Sequence, residues 1–224
     1  MFRKVLSNLD LLRLDFSIFS LHLILTSSFL AIPLVLRDLG LEPLQHTVVY
    51  LPVMLLSLVI MVPFIIVAEK HGHMKTVFLG AIGMFMLTQA VLGLSNASFW
   101  PFVVALTFWF AAVNLLEAVL PSMVSKIAPV DAKGTAMGIY STSQFTGAFC
   151  GGVLGGWVHQ QFGVEAVFSV GVLGGLLWLI FASGMRKPGR YSSRLLDIRN
   201  LPGQREHSLV DDLRQVPGVV ELDQ

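Results

Sequence analysis

The chain has little charge, almost no cysteine and none of the short motifs that carry soluble chemistry. Charged residues make up 13% of its 224 residues, about half the share of an ordinary soluble domain, so the chain cannot clothe a water-facing surface of normal size. The formal net charge is +1, and no basic segment is interleaved with aromatics, which excludes a nucleic-acid partner. Cys150 stands alone, so no internal disulfide can form, and among glycines it reads as a small packing residue. Neither G-x-S-x-G nor H-E-x-x-H occurs. No cofactor-binding fingerprint is present, and no cofactor is expected. No cleavable leader is read at the start, because the charges of Met1 to Arg13 are scattered among leucines and the apolar run that follows is long enough to span a bilayer.

What is abundant is apolar sequence. Hydrophobic residues make up 54% of the chain and the mean hydropathy is +0.74, values of an integral membrane protein with the lipid bilayer as its first partner. Six apolar stretches of about 20 residues can be marked: Leu14 to Leu36, Val48 to Ala68, Lys75 to Leu94, Phe99 to Ser122, Gly134 to Phe162 and Glu165 to Gly184. Arg3, Lys4 and Arg13 precede the first. Lys70 and Lys75 flank the second loop, Lys126 and Lys133 the fourth, and Arg186, Lys187, Arg190 and Arg194 follow the last, whereas the odd loops hold only Arg37. The positive-inside rule then puts both termini in the cytoplasm. The expected architecture is an all-α membrane domain over residues 1–187, followed by a cytoplasmic linker and small tail over residues 188–224. In that tail Ser208 to Gln215 reads as a helix and Val219 to Leu222 as the start of a strand.

The fifth stretch organises the rest. At about 100° per residue, Tyr140, Gln144, Gly147, Gly151 and Gly155 share one face and Gly134, Gly138, Gly152 and Gly156 another. Small residues let membrane helices approach closely, so two such faces predict two close neighbours. A phenol and a carboxamide facing lipid would be unsatisfied, which turns Tyr140 and Gln144 toward protein or water. On the first span Asp15, His22, Thr26 and Pro33 form a stripe. His22 and Thr26 lie roughly 10 to 20 Å inward and Gln144 about 15 Å from the same side, so these three share a middle layer. His22, Thr26, Tyr140 and Gln144 are accordingly the expected wall of a polar pathway, with His22 able to exchange a proton near neutral pH; a histidine merely bonded between helices fits the sequence equally well.

Glu117, in the stripe of Thr107, Phe110, Asn114 and Pro121, is expected near the cytoplasmic end of its span, in an ion cluster with Lys70, His73 or Lys75. Asp15 is expected to pair with Arg13 at the membrane boundary. His71, His73 and Glu69 alternate on a short loop and do not make a closed metal shell. Asn96-Ala97-Ser98 is a glycosylation sequon, common by chance.

The second loop, Ala68 to Lys75, resembles the loop motif G-x-x-x-D-R-x-G-R-[RK] of the major facilitator superfamily. Glu69 stands at the acidic position, Lys70 at the first basic one and Gly72 at the glycine, while Ile65, His73 and Met74 depart from the pattern. The runs Asn114 to Ala118 with Leu120, Pro121 and Ser122, and Lys133 to Gly138 with Tyr140 to Gln144, are similar to the proton-driven drug-efflux branch. The resemblance covers about residues 1–187. It implies helices seven to twelve of a twelve-helix transporter in a bacterial inner membrane, moving an unidentified small molecule, with protons as counter-ion and an N-terminal six-helix half as partner. It also implies a small ferredoxin-like cytoplasmic domain, of which residues 188–224 would be the start. On that reading this sequence is a half transporter, inactive alone, as a fragment or a truncated reading frame. Two other classes remain open at the level of sequence: an intramembrane enzyme using Ser141 or Ser143 with His22, and a six-helix scaffold without transport.

Overall fold

The computed structural model describes residues 2–95 and 98–186. The tail reading, and Asn96 and Ala97 of the sequon, lie outside the described residues. The described chain is helical: α1 (Phe2–Leu6), α2 (Leu9–Asp38), α3 (His46–Lys70), α4 (Met74–Leu94), α5 (Phe99–Ile127), α6 (Lys133–Phe162) and α7 (Val164–Ser183), with single 3-10 turns at Pro43–Gln45 and Val130–Ala132. Five helices, α2 to α5 and α7, are long and apolar enough to cross a membrane, and the chain is an all-helical, multi-pass membrane protein. α6 is as long as α2, about 45 Å at the helical rise, but its glycines and hydroxyls lower its hydropathy.

Local chemistry sets the boundaries. Asn8 starts α2 by accepting the backbone N–H groups of Asp10 and Leu11 at 3.0 and 3.4 Å, the ordinary way to satisfy donors at a helix start. This start lies five residues before the expected one, since charged Asp10 and Arg13 belong to the helix. Gly72 at φ 70° turns the chain between α3 and α4, and Gly163 at φ 85° turns it from α6 into α7, conformations that side-chain-bearing residues rarely adopt. Pro33, Pro52, Pro63 and Pro121 lie inside helices.

The core sits among α2, α4, α5 and α7, where Trp109, Trp178, Phe78, Phe85, Phe102 and Phe168 are fully buried. Phe85 and Trp109 rings lie 5.5 Å apart. Gln89 ties this core together: its carboxamide donates to Ser28 Oγ at 2.8 Å and accepts from Trp109 Nε1 at 2.7 Å, while Gly171 of α7 packs against it. Buried polar groups are tolerated in a bilayer when satisfied in this way.

Candidate functional site

α2 and α6 run side by side in parallel. A side chain at Gly147 would strike the backbone of Phe19, one at Gly151 the backbone of Leu23, and one at Gly155 would come within 2.7 Å of the Ser27 Cα. The steps are four residues on both helices, so the two backbones touch turn after turn. Ser27 Oγ then donates to the Gly151 carbonyl at 2.8 Å. The second glycine face behaves otherwise. Among the described residues a Cβ at Gly134, Gly138 or Gly156 would meet nothing within 4 Å, and one at Gly152 only the Thr26 methyl at 3.9 Å. The expectation of two close neighbours is therefore corrected to one; a stripe of small residues records permission to approach, and only one face has been approached.

This contact sets the site beside it. His22, 14% exposed, is reached from two sides: Gln144 Nε2 of α6 lies 3.0 Å from its Nε2, and Glu117 Oε1 of α5 lies 3.2 Å from the same atom. Its Nδ1 lies 3.3 Å from the Ile18 carbonyl oxygen. A carbonyl can only accept, so Nδ1 carries a proton. The opposite nitrogen then has two arrangements. Bare, it accepts from the Gln144 amide, and Glu117 sits beside it without repulsion only when its carboxyl is protonated. Protonated, it donates to a Glu117 carboxylate and Gln144 turns its oxygen inward. Both arrangements hold one proton between His22 and Glu117, and both keep the imidazole oriented by Ile18.

Glu117 is thus corrected: it does not join the second loop. The physical reason is depth. α5 continues to Ile127, five residues beyond the expected end, which moves Glu117 about 8 Å further from that end and level with His22. The loop's own acid, Glu69, pairs with Lys126 at 2.6 Å and accepts from Ser122 at 2.7 Å, both from the α5 segment assigned too short. Lys70, His73 and Lys75 surround this turn in sequence without joining the pair, and Gly72 makes the turn itself. The expected Arg13–Asp15 pair is not formed either. Arg13 reaches Asp10 at 3.0 Å, one helical turn away.

Tyr140 is buried one turn before Gln144, its hydroxyl without a hydrogen-bond partner among the described residues. Thr26, one helical turn beyond His22, turns its methyl toward Gly152. Sequence reading missed Gln89 and the bond from Asn114 Nδ2 to Ser57 Oγ at 2.9 Å, which joins α5 to α3. A lone carboxamide in an apolar span was the available signal for each.

Comparison with known proteins gives the same direction. The profile of the Major Facilitator Superfamily matches residues 14–206. The chain is 44% identical over 197 residues to the inner membrane transport protein YajR of Escherichia coli (strain K12), covering 88% of this chain and 43% of that protein. Two uncharacterized transporters of Buchnera aphidicola, from the Baizongia pistaciae and Schizaphis graminum subspecies, are 28% and 31% identical over 182 and 185 residues. Those alignments cover 80% and 82% of this chain and 46% and 47% of the relatives. The chain spans about half the length of the curated relatives it matches.

Proposed function

The chain belongs to the major facilitator superfamily, a family of transporters and not of enzymes, and on that premise we propose that it forms the C-terminal six-helix half of a proton-coupled efflux transporter. Here α2 to α7 are helices seven to twelve, all six crossing the membrane with both termini cytoplasmic. His22, Thr26, Tyr140 and Gln144 form one wall of the solute pathway, whose other wall is an N-terminal six-helix half. The open glycine face of α6 supports this arrangement: Gly134, Gly138 and Gly156 leave room for a neighbour that the described residues do not supply.

The observation that carries proton coupling is the placement of His22 Nε2 within 3.2 Å of Glu117 Oε1. Ionisable groups inside a membrane are costly and are kept where they do something, and this pair holds one proton in either of the two arrangements above and, on giving it up, leaves a neutral imidazole and a Glu117 carboxylate. Solute then competes with the proton for the same polar wall. The Glu69–Lys126–Ser122 cluster, with Lys70, His73 and Lys75 beside it, is the latch of the cytoplasmic side, made and broken as the two halves rock.

The test is transport by inverted vesicles carrying this chain together with an N-terminal six-helix half, with a fluorescent lipophilic cation as probe. His22→Gln and Glu117→Gln each abolish flux driven by a proton gradient while the probe still binds. Undiminished gradient-driven flux in both variants rejects the proton site. In a Cys150→Ser background, cysteines placed at 140 and 144 that react only with lipid-soluble thiol reagents reject the pathway wall.

A further inference from the structure

At the start of α2 lies a hollow of about 860 Å³ whose polar lining is Lys4, Ser7, Asn8, Asp10, Arg13 and Arg186, a volume within the range of small-ligand sites. Three of these side chains are cations, and the acids beside them are already engaged. Asp131 holds Lys4 at 2.7 Å. Asp10 Oδ1 accepts from Arg13 Nη1 at 3.0 Å and from the Arg186 backbone N–H at 3.2 Å, which pins the end of α7 to the first turn of α2 and brings both arginines to one hollow. A Cβ at Gly184 would come within 2.8 Å of Arg13 Nη2, so the guanidinium takes the space that a glycine leaves. Its Nε is buried with no hydrogen-bond partner among the described residues, although a guanidinium carries five N–H donors.

A second hollow, of about 330 Å³, lies deeper between α2 and α7 and is lined by Phe16, Leu177, Ile180 and Phe181, all exposed. Acyl chains cover apolar surface on any membrane helix; what distinguishes this one is its mouth. The Arg13 guanidinium carbon lies 6.0 Å from the centre of the Phe181 ring, and Phe181 meets Phe16 edge-on at 5.0 Å. Arg13 therefore borders the polar hollow on one side and the apolar one on the other. It immediately precedes Leu14, where the long apolar run begins, and so stands at the level where headgroups give way to hydrocarbon. Phe2 and Leu6 of α1 and Leu9 of α2 are exposed beside Arg3 and Lys4, the pattern of an element lying in that interface.

We propose that the two hollows are one binding site for an anionic phospholipid. Its phosphate sits with Arg13, Arg186 and Lys4, and one acyl chain lies along Phe16, Leu177, Ile180 and Phe181. Charge selects the headgroup: a zwitterionic lipid would bring an ammonium to two arginines, and the acid beside them, Asp10, is taken. A free phosphate would use the polar hollow and leave the apolar one idle. The bound lipid staples the start of α2 to the end of α7, alongside the Asp10 contact.

The experiment is native mass spectrometry of the full chain, titrated with phosphatidylglycerol and with phosphatidylcholine of the same acyl chains. One phosphatidylglycerol should bind saturably, tighter than phosphatidylcholine by about fivefold or more, and Arg13→Gln and Arg186→Gln should each weaken it by about fivefold, the effect of one cation at a membrane surface. Neither change should move phosphatidylcholine. Helical circular dichroism checks folding; Arg186→Gln keeps the backbone bond to Asp10 and decides the matter alone if Arg13→Gln does not fold. Ile180→Trp, which fills the apolar hollow, should weaken phosphatidylglycerol as well. Equal binding of the two lipids, or binding unmoved by the glutamine substitutions, overturns the proposal. So does an absence of saturable binding, as when a protein segment fills the hollow. Soluble glycerol phosphate that displaces phosphatidylglycerol at equal concentration, or an Ile180→Trp variant that binds like the parent, makes this a free-anion site and overturns the lipid.

Discussion

The two glycine faces of α6 use the same residue type for opposite ends. On one face Gly147, Gly151 and Gly155 are pressed against the backbone of α2, and a methyl group at any of them would collide with it. On the other, Gly134, Gly138 and Gly156 meet no neighbour among the described residues. The first face fixes a permanent seam, and that seam sets the distance at which Gln144 meets His22. The second is kept smooth without being filled. A sequence stripe marks both alike, because absence of a side chain records only that approach is possible.

The largest expected effect separates them. Gly151→Val drives a branched side chain into the Leu23 backbone and costs about 1–3 kcal/mol or more, as overpacking does where backbone cannot shift. Gly156→Val, five residues further on and on the open face, changes the stability of the isolated chain by about 0.5 kcal/mol or less. Thermal unfolding of the two purified variants decides it; equal losses would erase the distinction between the faces. The Gln89 knot follows in size. Gln89→Leu leaves Trp109 Nε1 and Ser28 Oγ without that partner in the core, a loss of about 1–3 kcal/mol, and tryptophan fluorescence should report Trp109 loosening in the same variant. Little change would mean that the bundle is held by its backbone seam and not by buried hydrogen bonds.

Much of this fold was readable because lipid constrains a chain severely. An apolar run of sufficient length must be helical to satisfy its own backbone, so α3, expected over Val48 to Ala68 and found at His46–Lys70, left little freedom. The ends were less legible. Charged residues near the interface look like loop, which hid Asp10 and Arg13 in α2 and Lys126 in α5. The error at α5 carried into the site, because depth is counted from the helix end and five residues moved Glu117 from the expected latch to His22. The grouping of His22 with Gln144 came from a shared layer, a quantity that tolerates small boundary errors. The pairing of Arg13 with Asp10, one turn apart and not two residues apart, follows from helical spacing once Asp10 is known to be helical. Gln89 could have been found by asking, for each lone carboxamide in a span, where its bonds go.

Glu69 and Lys126 test the comparison at the solvent-facing edge, where contact counts for less. Their side chains are 42% and 34% exposed, so the Coulomb attraction is screened by water and the pair contributes at most about 1 kcal/mol. Lys126→Met should lower the unfolding temperature slightly, and by less as salt is added. A loss as large as that of Gly151→Val would mean that the α3–α5 end is as rigid as the α2–α6 seam, contrary to a latch that opens.

The smallest effect belongs to Asp131, just ahead of α6, whose carboxylate accepts from Lys4 Nζ at 2.7 Å and so ties the start of that helix to α1. The ammonium holds the Asp131 carboxyl below the ordinary aspartate range. A carboxyl depressed in the folded state contributes stability above its unfolded value of about 4, and the contribution is lost as pH falls through the folded value. The carboxylate lies on the exposed surface, so the contribution is small and screened. Asp131→Asn should therefore lie marginally below the parent in unfolding temperature at neutral pH, with the difference closing on acidification and in high salt. A difference that instead widened toward acid would reverse the sign expected of a depressed carboxyl and would place Asp131 among groups that bind a proton more tightly when the helices are assembled.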